Sequence, residues 1–408
     1  MSDMRDAHPP RDPLARGRLA DRASDALAAA WRRGWLPYPT LDPDALWAKA
    51  RRGFPTDCEN FGRSAADVAD FAERVRRLTA ALEEEARLNP LGRAMAHGQI
   101  VRIMRQHLAL GRLWRDRPEM ARTPMAPPII VVGQMRSGTT RLHRLLAADP
   151  ALSATRFCDS WSPVPQTPDL RPLMGGVMLW IARRLDPWID SLHPFGAARV
   201  DEELGWLTTA LLHPALEAQW RIPSFSAWSE ARDPAPCYRE FARILASDAA
   251  HRGNADRPRV LKVPQFSEDL AAVMATFPDA RIVTIDRARR DVTASAASLV
   301  ANQMIVQSDH VDPAWIGAEW TRKVALREAR MEAALQHWDG PLVRLSFAEF
   351  NADWRAAIGR CYDGLGLSLS ARAEAAMAAR MKRARHSPHR RHRYDPADFG
   401  LPRAGTAR

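Results

Sequence analysis

A chain of 408 residues, 46% of them hydrophobic, can bury a large core, which excludes a disordered chain and fits one α/β domain with extensions. The net charge of +11 would suit a nucleic-acid binder, yet acidic residues are interleaved with the basic ones along most of the chain, so a small anionic ligand is the better expectation. Of 59 lysines and arginines only Lys49, Lys262, Lys323 and Lys382 are lysine, so each marks a place where arginine did not substitute.

The N-terminal tail is charged and proline-rich and has no apolar stretch of the signal-peptide kind. A helix is expected from Ala23 to about Gly34, and helical spacing dominates from Asp42 to Asp116. There Val68, Phe71, Val75, Leu78 and Leu82 repeat at three and four residues, as do Ile100, Ile103, Met104, His107 and Leu108. Residues 1–124 therefore read as a helical N-terminal extension that packs against the rest. Cys58, Cys158, Cys237 and Cys361 are isolated, which points to neither a zinc site nor a disulfide framework and fits a reducing cytoplasm.

The most informative stretch runs from Pro127 to Arg144. Ile129, Ile130, Val131 and Val132 are β-branched without a break, as in a parallel strand covered on both faces. Gly133 and Gly138 then bracket a loop in which backbone N–H groups can converge on one anion. Ser137, Thr139 and Thr140 add hydroxyls, and Leu142, Leu145 and Leu146 open a helix whose N-terminus faces the same point. The glycine spacing matches half of a P-loop, but Thr139 stands where the lysine would follow, and the cation is Arg136, inside the loop.

Beyond the loop, residues 156–172 read as an irregular Pro/Trp-rich wall. Helical segments are expected over about 175–185, 202–212 and 236–250. The apolar run from Leu173 to Ala182 is too short to span a bilayer and meets Arg183 and Arg184. Strand patterns at 259–263, 281–285 and 342–345 alternate with helices, so residues 125–370 are expected to form a P-loop-type, doubly wound parallel sheet flanked by helices. A basic segment, 371–408, closes the chain.

Ligands of such sheets sit at the strand carboxyl ends. Two more residues are placed there: Lys262, and Arg287, followed eight positions later by Ser295 on a helix. Arginine and serine at this spacing can grip one phosphate from two sides.

In these motifs and their order the chain resembles the sulfotransferases that use 3′-phosphoadenosine 5′-phosphosulfate (PAPS), in particular bacterial members related to tyrosylprotein and heparan sulfotransferases. The loop from Gly133 to Thr140 is similar to the family's 5′-phosphosulfate loop, with Met135 where proline is usual. Arg287 and Ser295 resemble its 3′-phosphate pair, and Leu261-Lys262-Val263-Pro264 its Lys-Ser/Thr-Pro element. The resemblance implies transfer of a sulfuryl group from PAPS to a hydroxyl or amine, leaving adenosine 3′,5′-bisphosphate, without an obligatory metal.

It also implies site residues. Gly133, Arg136, Ser137, Gly138, Thr139 and Thr140 would hold the 5′-phosphosulfate, and Arg136 would also act in catalysis. Lys262 would act on the transferring group, and Arg391 in the basic segment would close over the 3′-phosphate. The base is expected at Asp159, in Arg156-Phe-Cys-Asp159, with His193 as the alternative. Glu202 and Glu203 are candidates to line an acceptor site, although helix-surface charge is their simpler explanation. Trp161, Trp220, Phe225 and Trp228 point to a partly apolar acceptor wall that does not distinguish lipid, sugar, phenol or peptide. The rival functions are a P-loop kinase or nucleoside triphosphatase and a nucleotide-binding regulatory module; neither a membrane span nor nucleic-acid binding is expected.

Overall fold

The computed structural model describes residues 12, 14–385 and 394–403, so Arg391 lies outside the described residues. Four helices come first: α1 (Arg18–Arg32), α2 (Pro43–Ala50), α3 (Ala65–Glu84) and α4 (Pro90–Asp116). Local chemistry sets their starts. Ser64 and Asp67 form a reciprocal capping box on α3, and Asn89 accepts from the Gly92 N–H at 2.7 Å with Pro90 in the first turn of α4.

The α/β part follows. It begins with β1 (Ile129–Val132), α5 (Thr139–Leu146), β2 (Ser153–Ala154) and α6 (Phe157–Trp161). Next come α7 (Arg171–Leu185), α8 (Ile189–Leu192), α9 (Leu204–Thr209), α10 (Pro223–Glu230) and α11 (Ala235–Arg252). The second half contains β3 (Arg259–Lys262), α12 (Leu270–Thr276), β4 (Arg281–Asp286), α13 (Arg289–Gln307) and α14 (Pro313–Leu335). It ends with β5 (Leu342–Ser346), α15 (Phe347–Ala352), α16 (Trp354–Gly364) and α17 (Ala371–Arg385).

The five strands form one parallel sheet in the order β2-β3-β1-β4-β5. The unbroken apolar run of β1 is explained by cover on both faces. Ile130 and Val132 pack with Leu261, Ile282, Tyr238 and Phe241 on one side, while Ile129 and Val131 pack with Leu142, Val283, Leu345 and Ile358 on the other. The N-terminal helices have their own apolar core, which they share with Leu216, Trp220 and Phe225. The expected strands are present within a residue at their ends. The stretch after the loop differs from expectation: it contains β2 and α6, each too short for a periodic signal.

Candidate active site

The loop after β1 owes its shape to three residues with positive φ: Gly133, Arg136 (69°) and Gly138 (98°). A Cβ at Gly133 would come within 2.7 Å of the Ile285 carbonyl oxygen, and one at Gly138 within 2.7 Å of the Phe347 ring. Glycine is therefore required by both conformation and space. Ser137 is fully buried and donates its hydroxyl hydrogen to the Gln134 carbonyl at 2.7 Å, which braces the turn. Met135 is a second brace, packed with Ala296, Ala297 and Val300, its sulfur 3.4 Å from the Trp320 indole nitrogen. Gly138 caps α5, so the free N–H groups of that helix start at the loop.

A cavity of about 770 Å³ opens beside the loop, and Arg136, Gly138, Thr139 and Thr140 line it. Arg136 donates to the Ser295 hydroxyl at 2.9 Å and to the Leu192 carbonyl at 2.6 Å, and Arg287 donates to the Arg136 carbonyl at 2.9 Å. Arg287 and Ser295 are thus brought together through Arg136. Among the described residues no carboxylate pairs with Arg136, and burial pushes its guanidinium below its ordinary value. A desolvated cation whose hydrogen-bond partners are neutral oxygens is a site prepared for an anion.

Lys262, the last residue of β3, is buried and reaches the same point. Its ammonium donates to the Thr140 hydroxyl at 3.1 Å and pairs with Glu202. Glu203, fully buried next to it, accepts the Lys262 backbone N–H at 2.9 Å, and burial pushes this carboxyl up to about 8. His193 lines the cavity, and its Nε2 lies 2.8 Å from Asp201. Burial would raise the Asp201 carboxyl, but His193 and Arg144 hold it below its ordinary value. The ligand atoms of His193, Asp201 and Glu202 lie within 4.8 Å of one another, with the cations Lys262 and Arg144 in the same cluster.

Asp159 is elsewhere, and its expected role as base is corrected. It is fully buried, does not line the cavity, and caps α6 through the Arg156 N–H. Its oxygens meet Arg156 at 2.8 Å, Arg252 at 2.5 Å and Arg171 at 3.3 Å. Burial would raise this carboxyl, but the hydrogen bond from Arg156 and the charges of Arg171 and Arg252 hold it below its ordinary value. A carboxylate held this way can neither reach nor readily accept an acceptor's proton. Glu202 lines the cavity instead, as do Asp186 and Asp201, and Asp201 and Arg144 carried no sequence signal at all.

Residues 127–371 match the model of the sulfotransferase family. No curated protein matches the chain. Among solved structures, the sulfotransferase STF1 from Mycobacterium tuberculosis H37Rv is similar, with a TM-score of 0.75 and 28% identity over 88% of this chain and 95% of that one. Sulfotransferase STF9 from Mycobacterium avium has the same TM-score at 20% identity, over 88% of this chain and 92% of that one, a likeness of fold.

Proposed function

The chain belongs to the sulfotransferase family, and on that premise we propose that it transfers a sulfuryl group from PAPS to a hydroxyl or amine of an acceptor seated in the cavity. The observation that carries this reading is the meeting of three strand ends on one loop: Lys262 on the Thr140 hydroxyl at 3.1 Å, and Arg287 on the Arg136 carbonyl at 2.9 Å with Ser295 on its side chain. The donor has two anionic ends. Arg136, the loop N–H groups, Thr139 and Thr140 hold the 5′-phosphosulfate, and Arg287 with Ser295 holds the 3′-phosphate.

Chemistry at this junction is positioning and charge compensation. Glu202 takes the proton from the acceptor as its oxygen or nitrogen bonds to sulfur and the bond from sulfur to the bridging oxygen breaks. Lys262 compensates the charge that grows on that oxygen, so adenosine 3′,5′-bisphosphate leaves. Glu203 holds the Lys262 backbone and keeps the strand end in register with the loop. The lysine of a nucleoside triphosphatase loop is replaced by Thr139, which disfavours binding at the β- and γ-phosphates of ATP. Calorimetric titration with adenosine 3′,5′-bisphosphate beside ATP and magnesium tests the reading. Tighter binding of the bisphosphate is expected, and preference for ATP would sink it.

A further inference from the structure

Helix α7 carries its apolar side outward. Leu173, Met174, Val177, Met178, Trp180 and Ile181 are 37–66% exposed, and with Leu170 they make up most of the large hydrophobic side chains that the described residues leave in solvent. Its inward positions, four apart, are Arg171, Gly175 and Leu179. Arg171 is tied to Asp169 and Asp159, and the missing Cβ of Gly175 would lie 3.3 Å from the Cβ of Cys158. The helix therefore docks on α6 through Arg171 and Gly175, with Leu179 also turned inward. Its 3.6-period apolar stripe, which a helix of a soluble domain normally turns to the core, is left outside.

The surroundings say what covers it. Gly17 lies against the Leu185 carbonyl, so the start of α1 adjoins the last turn of α7, and Leu14 and Leu19 add further exposed apolar surface there. Cations rim the patch: the Arg184 guanidinium sits 4.5 Å over the Trp180 ring and Arg18 is exposed beside it, while Arg183, also exposed, is paired with Asp190 at 2.7 Å. An apolar face with tryptophan and arginine at its margin, on a chain of net charge +11, is complementary to an anionic lipid interface. A second copy is the poorer partner, because pairing the face with itself brings the same arginines together. The last turn of α7 also belongs to the site: Ala182 and Leu185 line the cavity with Met95 and Val306. Among the described residues no helix is long and apolar enough to cross a membrane, so the contact is one of surface.

We propose that the outer face of α7, with the start of α1, docks this protein on an anionic lipid surface and sets the cavity wall against it. Acceptors within reach are then amphiphiles with a hydroxyl or amine near the headgroups, a consequence that rests on the sulfotransfer reading. The test is flotation of the full chain with vesicles of phosphatidylcholine containing about one-third phosphatidylglycerol. The protein should float, less so at high salt, and Leu173→Asp with Val177→Asp should cut the bound fraction about tenfold while leaving the affinity for adenosine 3′,5′-bisphosphate unchanged. Absence of flotation, or equal flotation of the variant, overturns the docking face. So does sedimentation velocity in which the parent chain is a dimer, the variant a monomer, and vesicle binding equal. Flotation of a protein that does not bind the bisphosphate leaves the face standing and overturns the acceptor class together with the function proposed above.

Discussion

Two clusters in this molecule are built from the same kinds of side chain and differ in what surrounds them. In one, Lys323 and Arg327 meet Glu217, Glu230 and Glu268, with His213 hydrogen-bonded to Glu268 at 2.8 Å. In the other, Lys262 meets Glu202 while Arg144 and His193 meet Asp201, and Arg136 stands nearby with only neutral partners among the described residues. The first has a carboxylate for each cation and is closed: Lys323 and Glu268 are fully buried. The second has cations to spare and lines a cavity. Balanced charge in a sealed place holds helices together, whereas surplus positive charge at an open place calls for an anionic ligand.

The comparison breaks first at Glu202. Glu202→Gln should lower kcat by about 10² to 10⁴ with bisphosphate affinity retained, and near-parental turnover in that variant would move the proton transfer to His193. Second is the sealed cluster, where Glu268→Gln leaves Lys323 and Arg327 short of a counter-charge. It should cost about 3–5 kcal/mol of stability by denaturant unfolding, with kcat of the folded fraction changed only a few-fold. A large loss of kcat with unchanged stability would mean that this cluster, too, serves the reaction.

Glu203 provides a smaller effect with a definite sign. Its carboxyl titrates near 8 when folded and near its ordinary value when unfolded, so the folded state binds the extra proton between those values. Stability from this group is complete at pH below the unfolded value and is lost as pH rises through about 8. Glu203→Gln should flatten the fall of stability between roughly pH 5 and pH 8 by an amount on the order of a few kcal/mol. Thermal melts of both proteins across that range would show it, and parallel curves would refute the buried, protonated carboxyl. The smallest effect is expected at Arg287. Arg287→Ala should weaken adenosine 3′,5′-bisphosphate by about 1.5–3 kcal/mol and adenosine 5′-monophosphate much less, as calorimetry would report; equal losses would remove the 3′-phosphate role.

Much of this was legible in the chain itself, for reasons that are local. The strand, glycine loop and helix from Ile129 to Leu146 are written in neighbouring residues, and each of the other long strands is a short apolar run between breakers. A parallel sheet then brings strand ends together without further information, which is why Lys262 and Arg287 were expected near one another from their positions, and both meet the loop after β1, at the Thr140 hydroxyl and the Arg136 carbonyl. Two of the four lysines, Lys262 and Lys323, are the buried centres of the two clusters, but only the one at a strand end stood out in the sequence as a candidate.

Tertiary structure decided which carboxylates line the cavity. Asp159 has the sequence context of a base, yet Arg252, 93 residues away, and Arg171 close on it, and no local pattern encodes that. Glu202 looked like surface charge and was brought to Lys262 by the path of the chain between α8 and α9. The same holds for the outward apolar face of α7: its composition was visible as a short hydrophobic run, but only packing determined that Gly175 and Arg171 point inward and the stripe does not. Periodicity fixes what a segment is, because it depends on neighbours a few residues apart. Exposure and charge balance depend on residues far apart in the chain, and so belong to the folded molecule alone.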